Sequence, residues 1–275
     1  MKAKTGLLLS ALLVGLVCAI PMSAQLVPLA TQSDAAPPFS YSGDTGPGFW
    51  AEASPACAMT PRARQSPIDI RNVVEDPRLA PLDFIRSETS FTMTNPGYTI
   101  RAIPRAGTKL VLDHVPYTLV QFHFHTLSEH TLRGRHAAME LHAVFVDEDG
   151  HAVAIGVLYR IGRPNRFLAR LIAAGLPRKT TSPAVTINRL NIEDAFTDTA
   201  SYYNYSGALT TPPCSPSVNF ILLKRFAQMS PKQFEAFRLI LGNNFRPLQA
   251  LNGRVIRGTV KRDDDASDQD SSSDQ

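Results

Sequence analysis

Apolar and polar positions along this chain group into short stretches rich in Val, Ile, Tyr, Phe and Thr, each closed by Pro, Gly, Asn or Asp. They cover residues 91–103, 110–112, 117–125, 140–146, 153–159 and 220–223. That composition between turn residues predicts strands. Helical spacing is scarcer. Ser230-Pro231-Lys232-Gln233 reads as a capping box with proline in the first turn, followed by Phe234, Phe237 and Leu241 on one face and Gly242 as a stop. A second helix is predicted over residues 165–174. The pattern as a whole predicts a mainly β (α+β) protein with a few peripheral helices.

Two of these strands carry chemistry. In Gln121-Phe122-His123-Phe124-His125 the two-residue period puts Gln121, His123 and His125 on one face and both phenylalanines on the other. A His-x-His pair alone is weak evidence for a metal. Seventeen residues past His125, however, Glu140-Leu141-His142 repeats the design, with Glu140 and His142 sharing a face. Three neutral imidazoles on a rigid sheet suit catalytic zinc, which keeps a fourth position open for chemistry. Each imidazole also needs its other ring nitrogen fixed by a partner. Gln121 is spaced to serve His123, and Glu140 to serve His142.

The ends and the composition narrow the setting. Lys2 and Lys4 precede an apolar run to Ile20, and Ser23-Ala24 offers a small-residue cleavage site, so residues 1–24 read as a signal peptide. The run is too short to span a bilayer, and no later stretch approaches the roughly 20 apolar residues required, so no membrane insertion of the mature chain is expected. Residues 25–38 read as a linker or frayed arm, residues 39–260 as one domain, and residues 261–275 as an acidic, disordered tail. The formal charge is +4, and Lys2 and Lys4 leave with the leader, so the mature chain sits near +2 with scattered arginines, which excludes a nucleic-acid footprint. Of three cysteines, Cys18 falls in the leader. Cys57 and Cys214 remain, and in an oxidising compartment they are expected to form one disulfide; neither has a second cysteine at the close spacing of a zinc site. Periplasmic or secreted localisation follows; the sequence leaves the oligomeric state open, a dimer included.

The string QFHFHTLSEH, the later ELH and the segment GALTTPP together resemble the α-carbonic anhydrase family. Residues 64–70 (RQSPIDI), Asn244-Phe245-Arg246-Pro247 and Leu251-Asn252-Gly253-Arg254 do likewise. The resemblance implies a large, mostly antiparallel, twisted central sheet. It implies Zn2+ held by His123, His125 and His142, with the Asn244 carbonyl orienting His125. It further implies reversible hydration of carbon dioxide to bicarbonate, with Thr210 donating its hydroxyl proton to Glu129 and Tyr41 near the proton exit. Val144, Leu209, Thr211, Ala154 and Phe220 would line the substrate pocket, and Ser66 would support Tyr205. Sulfonamides and small anions would inhibit. The pairing of Cys57 with Cys214 is also implied, bracing the loop that bears Thr210 and Thr211.

Departures from the family pattern accompany the matches. Tyr98 stands where active members carry a histidine proton shuttle, Phe220 replaces a tryptophan, and Ala154 stands where a second pocket valine is expected. Two other readings compete. His123-x-His125 followed by Glu129 reproduces the first ligand spacing of cupins, but the expected later glycine and the second Gly and His motif are missing. A catalytically silent, carbonic-anhydrase-like binding module is the other; such domains typically lose a metal histidine, and all three stand here.

Overall fold

Two long antiparallel strands, Val115–His125 and Met139–Val146, lie at the middle of a 13-stranded sheet. The computed structural model describes residues 39–260, apart from 61, 87 and 179. The expected signal peptide, linker and acidic tail therefore lie outside the described residues. Met139–Val146 pairs on its other side with Ala152–Ile161, and that strand pairs in parallel with Pro216–Leu223. The sheet continues through Tyr202–Ala208, Arg257–Gly258 and Val74–Glu75 on this flank, and through Arg101–Pro104, Thr89–Thr94 and Val185–Leu190 on the other. Ala152–Ile161 also pairs in parallel with Ala227–Met229, as does Arg257–Gly258 with Val74–Glu75, so the sheet is mixed although antiparallel pairs prevail.

Strand alternation divides the side chains as the sequence demands. Phe122, Phe124, Leu141, Phe145, Ile155 and Val157 enter the larger core on one face. Burying such an aromatic or aliphatic side chain contributes roughly 1.5 to 3 kcal/mol. The opposite face carries the histidines beside a smaller cluster that includes Ala154, Leu158, Phe220 and Leu222. Both faces are covered, which is why Met139–Val146 is buried almost throughout.

The two predicted helices close the larger core. Pro231–Leu241 starts with the full capping box: Ser230 Oγ accepts from the Gln233 amide, and the Gln233 side chain accepts from the Ser230 amide. Such a cap contributes about 1 kcal/mol. Phe237 of this helix sits 4.7 Å from Phe124, directly behind the histidine strand. Arg166–Ala174 is capped by Asn165, whose side chain accepts from the Leu168 amide, and Phe167 packs 5.6 Å from Phe122.

The stretch 91–103 differs from its sequence reading. It forms two strands, Thr89–Thr94 and Arg101–Pro104, because Asn95 Oδ1 accepts from the Gly97 amide and Gly97 takes φ 100°, turning the chain. Tyr98 follows this turn. Val185–Leu190 and Tyr202–Ala208 are strands that the sequence pattern did not predict. Among the described residues, no helix is long and apolar enough to cross a membrane.

Candidate metal centre

His123 and His142 face each other across the central strand pair, and His125 lies two residue pairs along, opposite Glu140. Directly opposed residues share a face of the sheet, so the antiparallel register itself gathers the three rings. Their centroids are 4.8 to 5.3 Å apart. One nitrogen from each ring lies within 4.8 Å of the others. The second nitrogen of each ring is already committed. His123 Nδ1–H donates to Gln121 Oε1 at 2.8 Å, His125 Nδ1–H to the Asn244 carbonyl at 2.8 Å, and His142 Nε2–H to Glu140 Oε1 at 2.8 Å. Nε2 of His123, Nε2 of His125 and Nδ1 of His142 are thereby left as acceptors. His125 Nε2 is buried without a hydrogen-bond partner among the described residues. A buried imidazole nitrogen left in this way is costly unless something coordinates it, and this donor set fits zinc.

Electrostatics favour the neutral, ligating form of His123 and His125 and act the other way on His142. Burial pushes His123 well below the usual imidazole range, and the charges of His125, His142 and Arg101 act in the same direction. His125 is also lowered by burial, against the pull of Glu129. For His142 burial acts downward too, but the charge and hydrogen bond of Glu140 outweigh it and raise the ring. Glu140 is opposed by its burial, yet His130 and His142 hold it well below the usual carboxylate range. Glu140 thus acts as an ionised acceptor that fixes the tautomer of His142.

Around this triad lies a fully buried polar shell. His130 Nδ1 is 2.7 Å from Glu140 Oε1, and its Nε2 is 2.6 Å from the Tyr205 hydroxyl, which donates to Ser66 Oγ at 2.8 Å. Glu129 Oε1 accepts from the Arg246 amide at 2.9 Å. Glu129 Oε2, 3.4 Å from His125 Nε2, has no hydrogen-bond partner among the described residues. Two further groupings hold potential ligands. In His130, Glu140 and His142 the atoms are already bonded to one another, and Asp147, Asp149 and His151 occupy an exposed hairpin turn where His151 Nδ1–H donates to Asp147.

Residues 45–260 match the family model for eukaryotic-type carbonic anhydrases. The chain belongs to the α-carbonic anhydrase family. A carbonic anhydrase from Klebsiella pneumoniae is 33% identical over 222 residues, covering 79% of this chain and 89% of the relative. The α-carbonic anhydrase of Photobacterium profundum superposes with a TM-score of 0.74 at 34% identity, over 80% of this chain and 99% of that one. The Thermovibrio ammonificans enzyme, solved with the inhibitor sulfanilamide, gives 0.74 at 35% identity over 80% and 98%.

In this carbonic anhydrase the other residues singled out in the sequence fall around the triad. Gln121, Val144, Ala154, Phe220 and Tyr205 form one row of cross-strand partners, with the Phe220 and Tyr205 rings stacked 5.3 Å apart. Leu209 packs beside this row. Thr210 and Thr211 occupy the loop after Tyr202–Ala208, with Thr210 buried and the Thr211 carbonyl accepting from the Cys214 amide. Cys214 forms a disulfide with Cys57. Tyr41 packs on Trp50 and Phe39; burial, and next the charge of Glu129, push its phenol well above the usual range. The Tyr98 ring packs at a tilt 4.9 Å from that of Phe39, and its phenol is raised by burial although Arg101 hydrogen-bonds it.

Arg246 plays a larger part than its motif suggested. Besides the amide on Glu129, its guanidinium donates to Gln65 Oε1, the Ser66 carbonyl and the Cys57 carbonyl, and lies over the Trp50 ring at 5.5 Å. Burial lowers its pKa to about 10. It ties the disulfide and the N-terminal aromatic cluster to Glu129. Its place in Asn244-Phe245-Arg246-Pro247, two residues after the asparagine whose carbonyl holds His125, was the only signal for it in the sequence.

Proposed function

We propose that this carbonic anhydrase is a zinc enzyme hydrating carbon dioxide reversibly to bicarbonate, with the ion held by His123, His125 and His142. One observation carries the reading: three imidazoles each spend one nitrogen on an oxygen acceptor and turn the other toward a common point. Zinc held by these three histidines would supply Lewis acidity, lowering the pKa of water to about 7, the value known for this enzyme class.

The chain's own residues set the rest. Glu129 has one carboxylate oxygen held by the Arg246 amide and the other without a partner among the described residues, so the Thr210 bond implied by the family resemblance is not formed in this structure; in the working site the free oxygen would accept from the Thr210 hydroxyl. A threonine committed as donor to a carboxylate can only accept from a neighbour, so its lone pair orients the nucleophile. Val144, Ala154, Leu209 and Phe220 give the uncharged substrate an apolar wall that does not compete for polar groups, with Thr211 beside them on the Thr210 loop. Tyr41 and Tyr98 stand on the side from which the proton leaves. The sulfanilamide bound to the Thermovibrio relative supports sulfonamide inhibition here, and small anions are expected to act at the same centre.

Export fits the same picture. The leader-like N-terminus and the Cys57–Cys214 disulfide both suit a periplasmic or secreted protein. The test of function is metal analysis of protein purified without chelators, with stopped-flow hydration of wild type and His142→Ala. One zinc per chain and loss of most hydration in the variant are expected. Zinc-free wild type, or full activity in His142→Ala, would overturn the reading.

A further inference from the structure

The register of the sheet places an arginine beside the triad. Thr94 opposes Arg101, Arg101 opposes His123, His123 opposes His142, and His142 opposes Gly156. Opposed side chains share a face. The next residue pair, Ala102 with Phe122, enters the larger core and confirms that Arg101 and His123 project the other way, toward the metal centre. Arg101 is 7% exposed, so its guanidinium is largely withdrawn from bulk water. Thr94 Oγ1, its neighbour in the row, is enclosed without a hydrogen-bond partner among the described residues.

We propose that Arg101 is the anion-binding residue of the metal cavity, attracting bicarbonate and similar small monovalent anions to the space beside His123. A guanidinium suits this task because it is always charged and presents a planar fork of donors that matches a carboxylate-like anion. Partial desolvation strengthens its field. Arg101 therefore distinguishes the charged product from the uncharged substrate, whereas the apolar row at Val144 and Ala154 favours the latter.

The assignment rests on the proposed zinc centre, and its test does not read hydration. Zinc-loaded wild type, Arg101→Gln and Arg101→Lys are titrated calorimetrically with thiocyanate and with bicarbonate at fixed ionic strength, and the zinc content of each is measured. Removing one full charge several ångströms from a partly desolvated anion should weaken both anions about tenfold in Arg101→Gln. Arg101→Lys should stay within about threefold of wild type, and all three proteins should hold equal zinc. Anion affinities in Arg101→Gln within twofold of wild type overturn the assignment. Loss of zinc from both variants also overturns it, by making the guanidinium structural. A wild type that takes up no zinc sinks the metal reading instead, and the same titrations on the metal-free proteins still decide whether Arg101 binds the anion.

Discussion

Replacing Gly156 by alanine would put a Cβ 2.6 Å from Leu222 Cδ1, 3.0 Å from Glu140 Oε1 and 3.7 Å from His142 Cδ2. The first contact is shorter than real Cβ atoms tolerate, and Leu222 is fully buried, so relief must come from repacking. Overpacking of this kind costs about 1 to 3 kcal/mol. Alanine's lower chain entropy offsets less than about 1 kcal/mol of that. The second contact matters more for function. Glu140 Oε1 is the atom that accepts from both His142 and His130, and a methyl against it displaces the acceptor that orients a ligand. Disturbing such a partner typically weakens metal affinity 10- to 100-fold. Zinc affinity is read by competition with a chelator of known strength, and packing by the melting temperature of the metal-free protein. A fall of about 2 to 4 °C per kcal/mol is expected for a domain of this size. Zinc affinity within twofold of wild type together with an unchanged melting temperature would refute the reasoning.

Three further outcomes are expected. Tyr98 has its phenol raised by burial, away from neutral pH, so it cannot relay protons as an imidazole does; Tyr98→His should raise kcat in dilute buffer about tenfold and leave kcat/KM unchanged. Equal kcat in both proteins at every buffer concentration would show that another group carries the proton. Thr210→Ala should retain zinc, measured by metal analysis, and lose about 2 to 4 kcal/mol of transition-state stabilisation in kcat/KM; undiminished kcat/KM would remove Thr210 from the mechanism. Asp76 accepts from Arg78 and from Arg257, and these partners hold its carboxyl below the usual range. Its folded pKa is depressed, so its contribution is complete above the unfolded value of about 3.9 and is lost as pH falls below it. The gap in melting temperature between wild type and Asp76→Asn should therefore be constant from neutral pH down to about pH 5 and narrow progressively below about pH 4, and a gap independent of pH across that range would contradict this.

The part of the site that rests on strand period was legible from sequence. Gln121 with His123 and Glu140 with His142 follow from side chains two residues apart, and an antiparallel return brings the pairs together. The Asn244 carbonyl reached the analysis only through family resemblance, because a backbone acceptor 119 residues from His125 leaves no side-chain pattern. Arg101 was not legible at all. Its place depends on the register set after the turn at Asn95 and Gly97, and the stretch 91–103 reads as continuous until that turn is seen. Val185–Leu190 escaped because only Ile187 and Leu190 are buried on a strand at the end of the sheet, and Tyr202–Ala208 because Asn204, Ser206 and Gly207 interrupt its apolar positions. Both depend on neighbours for their structure, which a local pattern does not record.

The central claim, that three histidines sorted by their outer hydrogen bonds hold a catalytic zinc, is tested most directly by titrating zinc into chelator-stripped protein while carbon dioxide hydration is followed. Activity should rise linearly from near zero and break sharply at one equivalent of zinc. Hydration that is already full in the stripped protein, or that never appears as zinc is added, would contradict the account.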